Sequence, residues 1–560
     1  MAGGYANGTT KEPKEVTDAG MRDLDHYASR LPKWRYDLRQ RLIPIVRLET
    51  PYLALLQEKM RSPLLDSYFA MTANLGTHTF FMTGLPVLFW CGYTDWGRAM
   101  THMLANGVFW SGVLKDLLCL PRPLSPPLVR ITMSGSAALE YGFPSTHATN
   151  AISVAIYVLH ALHAVPAVDR TVFHTVAQVG FYWYAISIVL GRLYCGMHGF
   201  FDVFVGGALG ALVAAMQIIY GDVYDEWITG ASYAKPLILL LVVLVLVRIH
   251  PEPADNCPCF DDSVAFAAVI IGLETGVWHF ASTRFSSNDP VPGTVPFQLE
   301  TIGWIGAVAR IIVGVLIIFA WRGIMKPTLL TTLPPIFRIV ESFGADLPRK
   351  FFLKASQYST VPNLRRDDNI IPPAFEIPSL LTNKLTNPLR RRAVSIGPQS
   401  EADAWETIAY RQKRRRESLA NSPIISALER TETPNHISLP NPADLLPTPL
   451  SSRVQSYEKM MGSTGPEAFP DFYDPPLTPP PTLTDHDYTE EYAEEKAQEM
   501  ERNEEREIFK KVERPRVRYD VEVVTKLIVY AGIAWLAVEG NPILFEFLGL
   551  GMRTWAGSPR

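Results

Sequence analysis

Three short clusters in this 560-residue sequence hold side chains whose types and spacing suit chemistry on a phosphate. The first is KDLLCLPRP, in which six residues separate Lys115 from Arg122. Two cations can neutralise the oxygens of an anion, although beside an apolar run they equally suit anchors that keep only their charged heads in water. The second is YGFPSTHA, with Ser145 and His147 directly before a helical pattern. A helix start presents unpaired N–H groups and the positive end of the macrodipole, a cradle for phosphate oxygens, while Ser145 is also a good plain N-cap. The third is GRLYCGMHGFFDV, with Arg192, His198 and Asp202. His198 and Asp202 lie four apart and share a face if the following helix begins early. A carboxylate bonded to one imidazole nitrogen fixes the tautomer and leaves the other nitrogen free to attack. Without that role Asp202 is an expensive charge at the opening of an apolar stretch. His160, His163 and His174 lack such a partner nearby and read as structural.

All three clusters sit at the ends of apolar runs long enough to matter to a membrane. Spans are expected near residues 68–91, 98–118, 149–165, 172–190, 201–220, 236–247, 264–280 and 304–321. A further apolar stretch, 524–551, is interrupted by Pro542 and suits either one crossing or a partly interfacial position. The overall hydrophobic content of 48% averages over these runs and a polar tail. A net charge of -4 is small for this length and gives no footprint for nucleic acid. Before the first span, the stretch from about residue 31 to 60 mixes Arg and Lys with Leu, Ile, Trp and Tyr, as an interfacial segment does, and carries too much charge to cross. The first 60 residues lack the apolar core of a cleavable signal peptide.

The expected organisation is a polar and interfacial segment over 1–64, a catalytic membrane core over 65–222 and additional spans over 223–325. A mostly disordered tail over 326–522 and a hydrophobic segment over 523–560 complete it. The tail carries the basic runs 390–392 and 413–416, the proline-rich PPLTPPPTLT and a Glu-rich stretch over 490–507. RRAVS and RRRES place Ser395 and Ser418 three residues after an arginine, suiting a basic-directed kinase as a partner. Cys91, Cys119 and Cys195 read as buried structural thiols; Cys257 and Cys259 suit a bridge, or a metal only if further ligands join them. Within the apolar runs Glu274 and Arg310 are expected to pair, and Gly206 and Gly210 to permit close helix packing, inside the chain or in a dimer.

The ordered triplet of Lys115, six residues and Arg122–Pro123, then Pro144–Ser145–Thr146–His147, then Arg192, His198 and Asp202, resembles the type 2 phosphatidic acid phosphatase superfamily. The wider text, including LGRLYCGMHGFFDV and TANLGTHTFF, looks like its sphingoid-base-phosphate phosphatases. The resemblance implies an all-α, polytopic bundle with a catalytic core like that of vanadium haloperoxidases and acid phosphatases. It implies Lys115, Arg122, Ser145 and Arg192 as phosphate-binding groups, His198 as nucleophile, Asp202 as its orienter and His147 as general acid, with no metal and no cofactor. Dihydrosphingosine or phytosphingosine 1-phosphate is the implied substrate, and the endoplasmic reticulum membrane the implied location. One departure stands out: Gly191 precedes Arg192 where the family usually has Ser, which predicts altered phosphate affinity.

On that reading His198 attacks in line to give a phosphohistidine, His147 protonates the departing alkoxide and then activates water. Groups at span ends sit near lipid headgroups, which favours lipid phosphates and membrane lipids as partners over soluble ones. The rival readings are a phosphatase or phosphotransferase of the same fold acting on phosphatidate, and a catalytically silent polytopic anchor or transporter. Span parity puts the site on the side of the N-terminal segment and the tail, where positive charge favours the cytosol, whereas the resemblance implies the lumen.

Overall fold

A computed structural model describes residues 20, 24–72, 78–125, 127–131, 140–230, 232–255, 257–344, 352–361 and 518–552. The kinase sites, the basic and proline-rich runs and the Glu-rich stretch of the tail lie outside the described residues. Two helices, α1 (Leu24–Arg30) and α2 (Lys33–Met60), precede α3 (Pro63–Thr72) and a helical bundle. The bundle comprises α4 (His78–Trp90), α5 (Thr94–Leu118), α6 (Thr146–Ala164), α7 (Val172–Tyr194), α8 (Phe200–Thr229), α9 (Ala234–Ile249), α10 (Cys259–Ala281), α11 (Leu299–Ser342) and α12 (Val521–Phe547). No sheet forms among the described residues, only isolated bridges, of which Leu353 with Tyr519 ties 352–361 to the start of α12.

Five helices, α7, α8, α10, α11 and α12, are long and apolar enough to cross a membrane. This is a multi-pass membrane protein. On α7, Val176, Val179, Trp183, Ile186 and Leu190 recur at helical spacing and face outwards, a surface suited to lipid chains rather than water. The remaining bundle helices are shorter or carry charges that the bundle itself satisfies. α11 is broken at Gly303 (φ 71°), and from Trp304 to Ser342 it is about 58 Å long, roughly twice the hydrocarbon thickness, so it runs past the expected end near Trp321 into what composition alone assigned to the tail. In α12 Pro542 has no N–H to return to Ala537, a π-turn over Leu536–Gly540 accommodates it, and the Trp90 indole donates to the Ala537 carbonyl at 2.9 Å.

The α2 helix has two faces. Leu53 and Ala54 are buried against Leu128, Ala148, Leu193 and Val203 of the bundle. Trp34, Leu38, Ile45, Leu48, Tyr52 and Leu55 form an exposed apolar stripe on the other side. An exposed apolar stripe on a helix beside a membrane bundle is the pattern of an interfacial segment.

The expected Glu274–Arg310 pair is not formed. Glu274, fully buried in α10, pairs instead with His102 and with Arg98 at 3.5 Å, both on α5, and Arg98 reaches Asp225 of α8 at 2.7 Å. Arg310 donates to the carbonyl of Trp90 at 2.9 Å. Apolar periodicity places neither residue around its helix axis relative to a neighbour, so sequence alone could not choose between these partners. Removing one member of a buried ion network strands the others, so Glu274→Ala should destabilise the bundle by about 3–5 kcal/mol. Thermal unfolding in detergent reads this.

Gly206 and Gly210 serve internal packing. A Cβ on Gly206 would lie 2.6 Å from the Ser145 carbonyl oxygen, and one on Gly210 would lie 2.3 Å from that of Thr149. The two glycines let α8 lie directly on α6, and Thr149 Oγ1 donates to the Gly206 carbonyl at 2.9 Å. That contact brings the second sequence cluster against the third.

Candidate active site

The site is assembled from three chain segments at one end of the bundle. In the first, α5 ends with Lys115 in its last turn, and Cys119 adopts a left-handed conformation (φ 51°) that turns the chain towards Arg122. The exposed carbonyls of this helix end are taken by α2: Arg35 Nε donates to Leu117 at 2.8 Å and Arg39 Nε to Cys119 at 3.1 Å. A cation at a helix C-terminus both satisfies carbonyls and opposes the dipole, so α2 fixes the end that carries Lys115. In the second segment, Tyr141 bonds Asp255 at 3.0 Å, Gly142 N–H donates to Leu120 at 3.0 Å, and α6 then begins. In the third, α7 ends with Arg192 and α8 starts with Asp202, His198 lying in the turn between them.

His198 is 3% exposed and its two ring nitrogens have different partners. Nδ1 lies 2.8 Å from the Gly142 carbonyl oxygen, which can only accept, and Nε2 lies 3.3 Å from Arg122 Nη1, which can only donate. Those partners assign the proton to Nδ1 and leave the lone pair on Nε2, the state of a nucleophile. Burial, then the charges of Arg122, Lys115, Arg192 and His147, hold its pKa well below the usual imidazole value. All four of those side chains therefore act on the His198 ring. Burial also pulls Arg122 down to about 10, which leaves it charged at neutral pH.

Arg192 is buried, and its Nε has no hydrogen-bond partner among the described residues. A buried guanidinium nitrogen without an acceptor is what a phosphate oxygen would satisfy. His147 lies half-buried in the first turn of α6.

Ser145 and Asp202 both have structural roles at helix starts. Ser145 has both its polar groups engaged: its hydroxyl accepts from Ala148 N at 3.4 Å and its N–H donates to the Asp202 carbonyl at 3.0 Å. It is the N-cap of α6 and a joint to α8, a role that uses its hydroxyl only as an acceptor. Asp202 does not hydrogen-bond His198. Its Oδ2 stands 3.7 Å from Nδ1 and instead caps its own helix through Gly199 N–H at 2.9 Å. The Gly142 carbonyl is what orients the ring. His163 and His174, as expected, make only local bonds, to Leu159 and Thr171.

Gly191 packs against Phe69. A Cβ there would meet Phe69 Cδ1 at 2.9 Å, so the position is closed by the ring that packs on Tyr194. A Ser side chain there would have to displace that ring. Gly191→Ser should cost about 1–3 kcal/mol of stability through overpacking and leave the Michaelis constant unchanged. Initial rates and thermal unfolding on one preparation check both.

Two carboxylates at the site were not legible in sequence. Glu49 of α2 accepts from Phe201 N at 2.8 Å at the start of α8, where a negative charge suits the dipole, and burial raises its pKa. Glu140 lies 3.1 Å from Lys115 Nζ and 3.4 Å from Arg122 Nη2. Its backbone carbonyl also accepts from Arg122 Nε at 3.1 Å. Elsewhere, Cys257 and Cys259 form a disulfide, and Cys91, Cys119 and Cys195 are free thiols.

The profile of the PAP2 superfamily matches residues 96–224, a stretch that contains Lys115, Arg122, Glu140, His147, Arg192 and His198. A dihydrosphingosine 1-phosphate phosphatase of Schizosaccharomyces pombe is 39% identical, over 58% of this chain and 78% of its own length. The chain belongs to the PAP2 superfamily. A second dihydrosphingosine 1-phosphate phosphatase, from Saccharomyces cerevisiae, is 34% identical over 57% of this chain and 76% of its own. Sphingosine-1-phosphate phosphatase 2 of Homo sapiens is 28% identical over 49% and 67%. No solved structure matches the chain. For a PAP2 chain the cluster of Lys115, Arg122 and Arg192 around a neutral His198 is chemically coherent, since it pairs a nucleophile with the charge that a phosphoryl group in transfer requires.

The free-enzyme pH profile follows from the His198 environment. A depressed pKa keeps His198 neutral into acid, so attack by its Nε2 predicts an acid limb of kcat/KM below the ordinary imidazole value of about 6.5. For stability the sign is the same. The unfolded histidine takes up a proton near about 6.5 that the folded one refuses, so the contribution is complete above that pH and lost as pH falls towards the lower folded value.

Proposed function

We propose that this protein removes the phosphate from sphingoid-base 1-phosphates in the endoplasmic reticulum membrane through a phosphohistidine on His198. The observation that carries the reading is the lone pair of His198 Nε2 held against Arg122, within a site whose other cations are Lys115 and Arg192. The names of the relatives support the substrate class, and the interfacial α2 beside the site supports a lipid over a soluble ester.

Lys115, Arg122 and Arg192 bind the non-bridging oxygens, supplying the charge neutralisation that a metal provides in many phosphatases. Nε2 attacks phosphorus in line while His147 gives its proton to the lipid alkoxide, whose own basicity is far too high for it to leave unaided. His147 then takes a proton from water, which attacks the phosphohistidine and releases inorganic phosphate. Asp202 acts at a distance, its carboxyl 3.7 Å from the imidazole that becomes substituted.

The side of the membrane bears on the tail. The site, α2, the end of α11 and the start of α12 share one end of the bundle, with Lys526 of α12 pairing Asp261 at the start of α10. A luminal site therefore carries the tail into the lumen and removes cytosolic kinases from Ser395 and Ser418.

The test is phosphate release by the purified protein in detergent with EDTA. Dihydrosphingosine 1-phosphate should be turned over with chelator present, in preference to phosphatidate and to a soluble phosphomonoester. Equal turnover of phosphatidate would retain the chemistry and overturn the substrate.

A further inference from the structure

Glu140 is out of place in a site built to hold phosphate. Its carboxylate makes ion pairs with Lys115 and Arg122, the two cations that the substrate phosphate needs, and is 26% exposed where they are 5% and 4%. It cannot withdraw far. Its backbone carbonyl is held by Arg122 Nε, and the next residue, Tyr141, is fully buried and bonded to Asp255. When phosphate takes Lys115 and Arg122, the Glu140 side chain can swing aside, yet it stays beside the new anion. Two like charges at such range repel strongly in a partly desolvated site. A carboxylate there weakens binding of any lipid phosphate that brings no cation of its own.

One class of lipid phosphate does bring one. In a sphingoid-base 1-phosphate the carbon next to the phosphate-bearing carbon carries an ammonium group. With the phosphate on Lys115 and Arg122, that ammonium falls beside the carboxylate the phosphate has displaced. We propose that Glu140 is the specificity-determining residue of this site, pairing with the 2-ammonium group and so selecting sphingoid-base phosphates over lipids that lack a free amine. The proposal rests on the phosphate-binding reading of Lys115 and Arg122 above. Phosphatidate, which has no amine, and ceramide 1-phosphate, whose amine is acylated, meet the same carboxylate unpaired. Discrimination of this kind works by repelling the wrong ligand as well as attracting the right one.

The experiment uses the full-length protein in detergent and measures kcat/KM for dihydrosphingosine 1-phosphate, for the ceramide 1-phosphate built on the same base, and for phosphatidate. Wild type, Glu140→Gln and Glu140→Asp are compared. Loss of a charge-assisted pair predicts that Glu140→Gln lowers kcat/KM for the free-amine substrate by about 10- to 100-fold, mainly through KM. The same variant should leave the other two unchanged or raise them, so the preference collapses, and Glu140→Asp should restore part of it. Ratios between substrates are independent of the folded fraction, so even a poorly folding variant separates the outcomes. If Glu140→Gln lowers all three rates by one factor, or leaves the ratio where it was, Glu140 only arranges Lys115 and Arg122 and the proposal fails. If wild type itself shows no preference for the free amine, the sphingoid-base reading fails first, whatever the variants do.

Discussion

His198→Ala should bring phosphate release to background. The loss expected for removing a nucleophile from a group that acts as a unit is on the order of 10⁴- to 10⁶-fold in kcat, because the cations that remain have no covalent step to assist. The side chain lies in a short turn between α7 and α8, and its partners are a backbone carbonyl and Arg122. The variant should therefore keep its fold, and substrate should still bind, since Lys115, Arg122 and Arg192 are untouched. Equilibrium binding of labelled dihydrosphingosine 1-phosphate alongside the rate assay separates lost chemistry from lost structure.

His147→Ala should cost about 100- to 10,000-fold on the lipid substrate, the range typical of a missing general acid. The size should depend on the leaving group. An aryl phosphate, whose phenolate leaves without help, should still phosphorylate His198 in the variant. Water attack on the intermediate then lacks its base, so the variant should show one burst of phenol and a stalled enzyme. An equal loss on alkyl and aryl esters would remove His147 from proton transfer and leave it as a charge near His198.

The catalytic end was largely legible because its chemistry is written in short runs. Lys115 and Arg122 share one helix end and its turn, and Arg192, His198 and Asp202 share another, so local spacing already confines them. Most helices were legible for a related reason: apolar length is a local property, and α5 to α12 lie where the apolar runs are, although the run expected over 68–91 is divided between α3 and α4 and five helices are long and apolar enough to cross. What escaped depends on contacts between distant segments. Glu140 acquires meaning only when the loop before α6 folds back on the end of α5, and Arg35 and Arg39 only when α2 crosses that end. Gly191 looked like a missing hydroxyl until Phe69, far back in the chain, proved to occupy the space. Glu274 was given the wrong partner because a run of apolar residues fixes depth in a membrane and not the direction a side chain faces. Ser145 and Asp202, which the motif assigns to the substrate and to His198, also hold helix starts, and Asp202 makes no hydrogen bond to His198. Good helix caps and good catalytic groups are drawn from the same few residue types, so a motif alone does not separate them.

The most direct test of a phosphohistidine mechanism is where the phosphoryl group goes. Wild-type and His147→Ala protein are mixed with dihydrosphingosine 1-phosphate labelled at phosphorus, quenched in alkali with EDTA present throughout, and digested for peptide mapping. Attack by His198 predicts acid-labile, alkali-stable label on the peptide bearing that residue, transient in wild type and accumulating in the variant. Label on another residue, or phosphate release at full rate with no covalent label at any time, would contradict it.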